Sequence, residues 1–440
     1  MQISLNIPKK LTVGIALPAS KSVSNRALML QALCPKKCFD IANLAVCDDT
    51  DHMLQGVEDK QTGAPLIDIG ATGTAMRFLT AYLAITEGET VITGSERMKQ
   101  RPIGTLVEAL RTLGADITYI DKEGYPPLRI RGKKLQGGTL EIEAGISSQY
   151  ISALLMVAPC LADGLILRLK GNIASRTYIE LTLDLMRKYG ATAEWTDGQT
   201  IRVSPGTYED IPLTVEADWS AASYWYELGA IASHLGHEAD ITLPALTPDS
   251  RQGDRVVAQL FEELGVKTEY SAHGARLIMD KNCQPKVAGQ RERQLSIVNC
   301  QLEKDFTHCP DIAQTMAVTY CLLGIPFTFS GIHSLRIKET DRVEALIAEL
   351  HKLGYVLRAE GDEHLIWDGT RCEPQQHPTI ATYDDHRMAM AFAPAGMVYK
   401  GLTIEHPEVV TKSYPTFWKD LKKLNDDENE NCHPDDSTKP

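Results

Sequence analysis

A pattern that recurs four times along the chain is the strongest constraint on its fold. In each copy an amphipathic helical run ends at a glycine, and a short run of β-forming residues follows directly. Apolar residues lie four and one positions before each glycine, which suits a helix that ends in a left-handed cap. The glycines and their apolar pairs are Gly114 (Leu110, Leu113), Gly190 (Met186, Tyr189), Gly265 (Phe261, Leu264) and Gly354 (Leu350, Leu353).

Strand-like runs follow these glycines, for example residues 115–120 and 355–358, and residues 128–131 and 201–204 provide further strands. The repeating unit is therefore helix, strand, turn, strand. Its spacing of roughly 75 to 90 residues far exceeds the period of a solenoid. We predict an α/β protein built from pseudo-symmetric subdomains of α+β type, with a shortened first copy at residues 48–70.

Length and charge limit the partners of the chain. At 440 residues it exceeds the size of a single hydrophobic core, so we expect two domains. The net charge of −13 argues against nucleic acid and anionic membranes as partners, since both are bound through basic patches. An anionic ligand would therefore need a local basic pocket. Residues 425–440 are rich in acids and lack apolar periodicity, which predicts a disordered acidic tail.

The cysteines and the apolar segments indicate the compartment. Ten cysteines occur without a CxxC pair or a Cys/His block at zinc-ligand spacing, so we predict reduced thiols and no metal site. No stretch reaches the roughly 18 apolar residues of a membrane span, and the N-terminus lacks the pattern of a signal peptide. We expect a cytoplasmic monomer.

Cations and hydroxyl groups gather just before several predicted helices. Free N–H groups and the helix dipole make such positions suitable for phosphate or carboxylate. Each segment alone is at least as well explained as a solvated cap or a tight turn, but together they predict one anionic pocket. The glycine turn at residues 70–77 matches neither a P-loop nor a dinucleotide fingerprint. The segments are 20–26, 70–77, 97–104, 145–150, 175–178, 336–344 and 384–391, with Lys412.

Acidic residues lie among these cations. Glu339 and Arg342 are three positions apart, which predicts neighbours on one helix face, and Asp311 opens another helix. Carboxylates in a cationic pocket are suited to moving protons. The residues alone therefore indicate an anion-handling enzyme with acid–base chemistry, and they leave its substrate open.

Several motifs in a fixed order resemble the 5-enolpyruvylshikimate-3-phosphate synthase family, over about residues 10–422. They are the runs 21–26, 73–77, 101–102, 147–149, 338–342 and 385–387. The resemblance implies a two-domain inside-out α/β barrel, in which each domain has three βαβαββ-like subdomains. One domain would contain residues 20–217, and the other would combine residues 1–19 with 218–424. The site would lie between them.

The resemblance also implies a reaction that needs neither metal nor cofactor. The enolpyruvyl (1-carboxyvinyl) group of phosphoenolpyruvate would pass to the 5-hydroxyl of shikimate 3-phosphate through a tetrahedral intermediate, with release of phosphate. Phosphoenolpyruvate would be bound by Lys21, Gly73, Arg101, Gln149, Arg342, Arg387 and Lys412. Shikimate 3-phosphate would be bound by Lys21, Ser22, Arg26, Ser147, Ser148, Gln149, Ser175, Tyr178, Asp311 and Lys338.

The implied catalytic residues are Asp311, Glu339 and Lys21. Asp311 would take the proton from the attacking hydroxyl. Glu339 would give a proton to the methylene of phosphoenolpyruvate and later remove one, and Lys21 would share in proton handling. The assignment of each step stays open, because it depends on geometry and pKa values.

Four positions depart from the usual pattern of that family. Ala71 stands in place of Asn, Phe78 and Thr177 in place of Pro, and Ser334 in place of Asn. These changes leave open the sensitivity to glyphosate, which mimics phosphoenolpyruvate. Two other functions also stay open: a sister enolpyruvyl transferase that acts on UDP-N-acetylglucosamine, and a catalytically silent anion-binding protein on the same scaffold.

Overall fold

Helices and short strands alternate through residues 1–145, 147–279 and 302–426, which the computed structural model describes. The helices are α1 (Lys21–Leu33), α2 (Asp48–Thr62), α3 (Gly73–Ile85), α4 (Glu96–Lys99), α5 (Gly104–Thr112), α6 (Ser148–Val157), α7 (Arg176–Lys188), α8 (Trp219–His234), α9 (Val257–Glu262), α10 (Ala313–Leu322), α11 (Arg342–Lys352), α12 (His386–Phe392) and α13 (Phe417–Asp426). This alternation is typical of an α/β fold.

The strands are short and lie between these helices. They are β1 (Gln2–Ser4), β2 (Lys10–Gly14), β3 (Leu66–Asp68), β4 (Gly88–Thr93), β5 (Asp116–Tyr119), β6 (Leu128–Gly132), β7 (Gly138–Glu143), β8 (Leu165–Lys170), β9 (Ala193–Trp195), β10 (Thr200–Val203), β11 (Glu238–Pro244), β12 (Val266–Ser271), β13 (Gly274–Met279), β14 (Leu302–Asp305), β15 (Phe327–Ser330), β16 (Arg358–Glu360), β17 (His364–Trp367), β18 (Thr379–Ile380) and β19 (Thr403–Glu405).

Four sheets of four strands share one topology. Their strand orders are β3-β4-β6-β5, β7-β8-β10-β9, β2-β11-β13-β12 and β14-β15-β17-β16. In each sheet the first two strands in chain order are parallel, as a crossover helix requires, and the last two form an antiparallel pair. A three-stranded sheet, β1-β19-β18, joins the two ends of the chain. The predicted helix, strand, turn, strand repeat is confirmed.

The glycines that end the repeated helices have the predicted conformation. Their apolar pairs are buried, which fixes the end of each helix against its sheet. Only the run at residues 355–358 differs, because Tyr355 forms one isolated bridge to Arg371 and the strand begins at Arg358. The left-handed glycines are Gly114, Gly190, Gly265 and Gly354, with φ of 97°, 87°, 88° and 89°.

Two hydrophobic cores divide the described residues. One contains buried residues between 19 and 215, which we call the central lobe. The other contains residues 5–15 together with 217–424, which we call the terminal lobe. The chain therefore passes between the lobes twice. The predicted domain limits stay a prediction, and so does the arrangement of three subdomains in each domain.

The first and last parts of the chain depart from the repeat. Helices α1 and α2 pack together with only the isolated bridges Ala19–Ala217 and Ala42–Thr214 beside them in the described structure. At the other end, α13 includes residues 425 and 426, which the sequence analysis assigned to the tail. Leu421 and Leu424 are buried and hold this last turn. The rest of the predicted tail, 427–440, lies outside the described residues.

Candidate active site

The cleft between the two lobes collects the predicted site residues. The central lobe contributes Lys21, Ser22, Arg26, Gly73, Arg101, Ser147, Ser148, Gln149, Ser175 and Tyr178 to its lining. The terminal lobe contributes Asp311, Lys338, Glu339, Arg342 and Arg387. Lys412 adjoins them, with its Nζ 2.8 Å from Oε1 of Glu339. The lining residues Lys21 and Arg387, which are 366 positions apart in the chain, thus face one space.

Lys21 begins helix α1 and is paired with a carboxylate that the sequence analysis missed. Its Nζ lies 2.8 Å from Oδ2 of Asp49, in the first turn of α2. Burial lowers the pKa of Lys21, but the Asp49 carboxylate outweighs burial and raises that pKa above its ordinary value. The only sequence signal for Asp49 is the acidic start of α2. Ser20, at the N-cap position of α1, makes no capping hydrogen bond.

Arg26 lies one turn further along α1 and is almost fully buried. Its guanidinium donates to neutral oxygens, at 2.7 Å to Oγ1 of Thr182 and 3.2 Å to Oγ of Ser152. The rings of Phe78 and Tyr178 lie 5.4 and 5.7 Å from its central carbon. Burial lowers the pKa of Arg26 to about 10. Phe78, one of the departures from the family pattern, therefore packs on a predicted substrate-binding cation.

Gly73 and Arg101 are packed against each other. A Cβ added at residue 73 would lie 2.7 Å from Nη2 of Arg101, so only glycine leaves room for the guanidinium. Arg101 is buried, and its Nε has no hydrogen-bond partner within the described part of the chain. Arg77 holds the adjacent loop through a 2.9 Å bond to the Pro102 carbonyl. The carbonyl of Ala71 accepts a 3.0 Å bond from Nζ of Lys412.

Hydroxyl and amide groups complete the central-lobe wall. Ser147 caps α6, because its Oγ accepts from the N–H of Gln149 at 3.2 Å. The side chain of Gln149 donates to Oγ1 of Thr74 at 3.2 Å. Ser175 precedes α7 with φ of 53° and makes no capping bond. The Tyr178 hydroxyl crosses the cleft and donates to Oδ2 of Asp311 at 2.9 Å.

Asp311 is surrounded by cations on the terminal-lobe wall. It lies in a short 3-10 helix, Pro310–Ile312, that leads into α10. Its carboxylate is 3.2 Å from Nη2 of Arg387, 3.2 Å from Nη1 of Arg342 and 3.4 Å from Nζ of Lys338. Burial raises the pKa of Asp311, but these cations more than offset burial and hold the pKa well below its usual range. Asp311 is therefore ionised at neutral pH.

Glu339 is the second ionised carboxylate of this wall. Its oxygens lie 2.8 Å from Nζ of Lys412 and 3.0 Å from Nη2 of Arg342. Burial raises the pKa of Glu339, whereas Lys412 and Arg342 lower it well below its usual range. The predicted contact with Arg342 is present, but the predicted helix is not. Helix α11 begins only at Arg342, because Asp341 caps it by accepting from the N–H groups of residues 343 and 344.

Asp385 and His386 form the floor beneath these side chains. Asp385 is fully buried and binds Arg342 at 2.6 and 3.3 Å, and it also caps α12. Burial, followed by the nearby Lys21 and Arg387, lowers the pKa of His386 well below its usual value, so this imidazole is neutral. The sequence analysis included both residues in a candidate segment without assigning either to the site.

The lining of the cleft has an excess of positive charge. Seven cationic side chains, Lys21, Arg26, Arg77, Arg101, Lys338, Arg342 and Arg387, face three carboxylates, Asp49, Asp311 and Glu339. The described residues contain no group of three or more His, Cys, Asp or Glu side chains that could hold a metal ion. None of the helices in the described part of the chain has both the length and the apolar character needed to cross a bilayer.

Two α/β lobes around a cation-rich cleft with buried, ionised carboxylates define an enzyme that handles anionic substrates. The sequence matches the family described as EPSP synthase (3-phosphoshikimate 1-carboxyvinyltransferase) over residues 5–59 and 57–421. The chain belongs to this family. The predicted α/β fold and the predicted family are therefore both confirmed.

Curated relatives agree with this assignment, and solved structures share the fold. The 3-phosphoshikimate 1-carboxyvinyltransferase of Bacteroides fragilis is 51% identical over 424 residues, which cover 96% of this chain and 98% of the relative. The enzyme of the same name from Photobacterium profundum is 36% identical, with 93% and 96% covered. The structure of EPSP synthase from Acinetobacter baumannii superposes with a TM-score of 0.72 at 22% identity, with 96% and 98% covered.

Proposed function

We propose that this enzyme transfers the enolpyruvyl group of phosphoenolpyruvate to the 5-hydroxyl of shikimate 3-phosphate, with release of phosphate, in the shikimate pathway. The single observation that carries the proposal is the joint placement of Asp311 and Glu339 in one cleft with an excess of cations. Both substrates are multiply charged anions, and the reaction moves protons at two atoms. The matched relatives bear the name of this activity.

The cations of the central lobe are suited to binding the substrates. Arg26 donates to neutral oxygens, and Arg101 has a buried Nε without a described partner. Neither guanidinium is in an ion pair with a carboxylate of the residues that the structure describes. Charge-assisted hydrogen bonds to phosphate or carboxylate would satisfy both guanidinium groups. We propose Arg26 for shikimate 3-phosphate, Arg101 and Lys21 for phosphoenolpyruvate, and the hydroxyls of residues 147, 148 and 175 as neutral donors.

Asp311 is suited to act as the general base for the attacking hydroxyl. It is ionised, and it lies at the point where Tyr178 and Lys338, both proposed ligands of shikimate 3-phosphate, meet. A carboxylate with a very low pKa is a weak base. Bound phosphate and carboxylate groups would compete for Arg387 and Lys338 and thereby raise the pKa of Asp311 toward that of a useful base.

Glu339 is suited to the proton steps at the methylene carbon. Addition needs a proton at this carbon, and elimination of phosphate must remove one. Glu339 is ionised in the free enzyme, so the first proton must come from a neighbour or from solvent. Lys21 is a protonated donor that is connected to Glu339 through a chain of ion pairs. Lys412 lies 2.8 Å from Glu339 and 4.0 Å from Asp49, and Asp49 is in turn paired with Lys21. We propose that Glu339 and Lys21 share these steps.

The test is phosphate release by the purified protein with phosphoenolpyruvate and either shikimate 3-phosphate or UDP-N-acetylglucosamine, with and without a chelator. We expect release only with shikimate 3-phosphate, unchanged by the chelator. Glu339→Gln should reduce the rate about 100-fold or more, whereas the exposed control Glu363→Gln should not change it. Release only with the UDP-sugar would indicate the sister reaction, and no release with either acceptor would indicate a silent binding protein.

The remaining properties of the chain are proposed with this function. We propose that it works as a monomer in the cytoplasm, without metal or cofactor and with small-molecule substrates as its only partners. A sedimentation measurement with and without both substrates tests the monomer, and a sedimentation coefficient that rises with protein concentration would contradict it.

A further inference from the structure

Arg97, which is not one of the proposed substrate-binding residues, makes a contact between the two lobes. Arg97 projects from α4 of the central lobe, where its side chain is exposed. Its Nε donates to the Glu339 carbonyl at 3.0 Å, and its Nη2 donates to the Lys338 carbonyl at 3.1 Å. One guanidinium therefore holds two consecutive peptide groups of the opposite lobe.

The segment that Arg97 holds carries side chains of the proposed chemistry. Residues 338–341 connect a 3-10 helix, His333–Ile337, to α11 and are not helical themselves. From this connection Lys338 reaches Asp311 at 3.4 Å, and Glu339 reaches Lys412 at 2.8 Å. A segment without helical hydrogen bonds needs other contacts to fix its position. Arg97 supplies such a contact from outside while the side chains reach into the cleft.

Helix α4, which carries Arg97, also leads to Arg101, a proposed ligand of phosphoenolpyruvate. Ser95 caps α4 by accepting from the N–H of Met98 at 3.2 Å, and the Met98 side chain is fully buried. Arg101, three residues after Met98, packs on Gly73 in the cleft. Arg97 on the outside and Arg101 on the inside are therefore held by one anchored segment, so a contact made by Arg97 fixes Arg101 relative to Glu339.

We infer that Arg97 is a positioning residue, which sets the carboxylate of Glu339 against phosphoenolpyruvate across the cleft. This inference rests on the proposed function. The two bonds have the geometry of a fork, and a lysine, which is a point charge, cannot satisfy both carbonyls in the same way. Small errors in the position of a reacting group are costly, so loss of this contact should lower turnover more than it lowers stability.

The experiment compares wild type, Arg97→Ala, Arg97→Lys and the control Arg111→Ala. Arg111 is matched because two of its nitrogens also donate to a backbone carbonyl, that of Ile117, at 3.0 and 2.8 Å, but within the central lobe and away from the cleft. The measurements are kcat and KM for both substrates, the melting temperature, and deuterium incorporation from heavy water into the methylene of recovered phosphoenolpyruvate. The last of these reports on the proton step of Glu339.

We expect Arg97→Ala to lower kcat about 10- to 100-fold and to lower deuterium incorporation per turnover, with a melting temperature like that of Arg111→Ala. Arg97→Lys should recover only part of kcat. Unchanged kcat and incorporation in Arg97→Ala would overturn the inference, and so would a rise in KM alone. Inactive wild-type enzyme would instead count against the proposed function, so the two failures can be told apart.

Discussion

On the central-lobe wall of the cleft, Arg26 donates to neutral oxygens, and Arg101 has a buried nitrogen without a hydrogen-bond partner among the described residues. On the terminal-lobe wall, by contrast, Arg342 and Arg387 are bound by carboxylates. A buried cation without an anionic partner is costly, while a compensated ion-pair network is not. The first wall therefore gains most when an anion binds. The second is already neutralised and holds the groups that move protons.

This difference predicts a division of work between the walls. Changes on the central-lobe wall should act mainly on substrate affinity, and changes to the terminal-lobe carboxylates should act mainly on turnover. Lys21 is the exception within the central wall, because Asp49 pairs with it at 2.8 Å. It therefore resembles the terminal wall, in agreement with its proposed part in proton handling.

The largest effect is expected from Asp311→Asn. Loss of the proposed base should reduce kcat about 100- to 10,000-fold, because the amide cannot accept the hydroxyl proton. The KM for phosphoenolpyruvate should change much less. Steady-state kinetics test this, with the exposed Asp249→Asn as control. A kcat within threefold of wild type would remove Asp311 from the chemistry.

Arg26→Gln should show the opposite behaviour. Glutamine retains hydrogen-bonding capacity but loses the charge, so the dissociation constant for shikimate 3-phosphate should rise about 10- to 100-fold. The effect on kcat at saturation should be small. Titration calorimetry measures the affinity, and the exposed Arg131→Gln is the control. Equal losses in affinity and kcat would break the proposed division between the walls.

Gly73→Ala should have a smaller and more selective effect. The new Cβ would displace the Arg101 guanidinium, which lies 2.7 Å from its position, and should raise the KM for phosphoenolpyruvate about tenfold. The KM for shikimate 3-phosphate should stay within about twofold. Gly198→Ala is a matched control, since its Cβ would meet nothing within 4 Å. A parallel rise in both KM values would contradict the pairing of Gly73 with Arg101.

The last prediction concerns stability and leaves the reaction itself unchanged. Asp254 is buried behind the terminal wall, and burial followed by the charge of Asp311 raises its pKa to about 6. The pKa of this carboxyl is higher in the folded protein than in the unfolded chain, where it is about 4. Its contribution to stability is therefore fully present below pH 4 and is lost as pH rises through the pKa of the folded protein. At pH 7 the free energy of unfolding, measured with urea, should therefore be about 1–3 kcal/mol larger for Asp254→Asn than for the wild type. At pH 4 we expect no such increase.

The control for this measurement is Asp249→Asn, an exposed change in the same region of the chain. A gain in stability that is equal at pH 4 and pH 7 would show that the ionisation of Asp254 is not its cause. Loss of stability at pH 7 would show instead that the hydrogen bond which Asp254 accepts from the Ser220 hydroxyl contributes more than the ionisation of the buried carboxyl costs.

Local patterns predicted much of the fold from the sequence. The helices that end at Gly114 and its three counterparts follow from side-chain spacing and from a backbone angle that glycine adopts most easily. The pairing of β1 with β19 could not be predicted in this way. It joins Gln2 to Glu405, which are close to opposite ends of the chain, so no local pattern contains both strands. Such pairing depends on how the complete core closes rather than on any local signal.

The site was predicted unevenly for the same reason. Most of its residues came from short motifs that resemble those of a family, and the cleft collects them. Asp49 and Asp385 were missed, because what marks each of them as a site residue is its contact with a cation that lies elsewhere in the chain. Arg342, for example, is 43 positions from Asp385. The helical assignment of Glu339 was wrong because Asp341 caps the helix two residues later. Capping geometry outweighed simple spacing.

The most direct test of the account is nuclear magnetic resonance of the reaction product. The enzyme is incubated with shikimate 3-phosphate and phosphoenolpyruvate labelled with carbon-13 at its central carbon. We predict a labelled enol ether on the 5-hydroxyl oxygen, formed in equal amount with inorganic phosphate and absent without shikimate 3-phosphate. Labelled pyruvate with phosphate, or no change in the label, would contradict enolpyruvyl transfer as the reaction of this cleft.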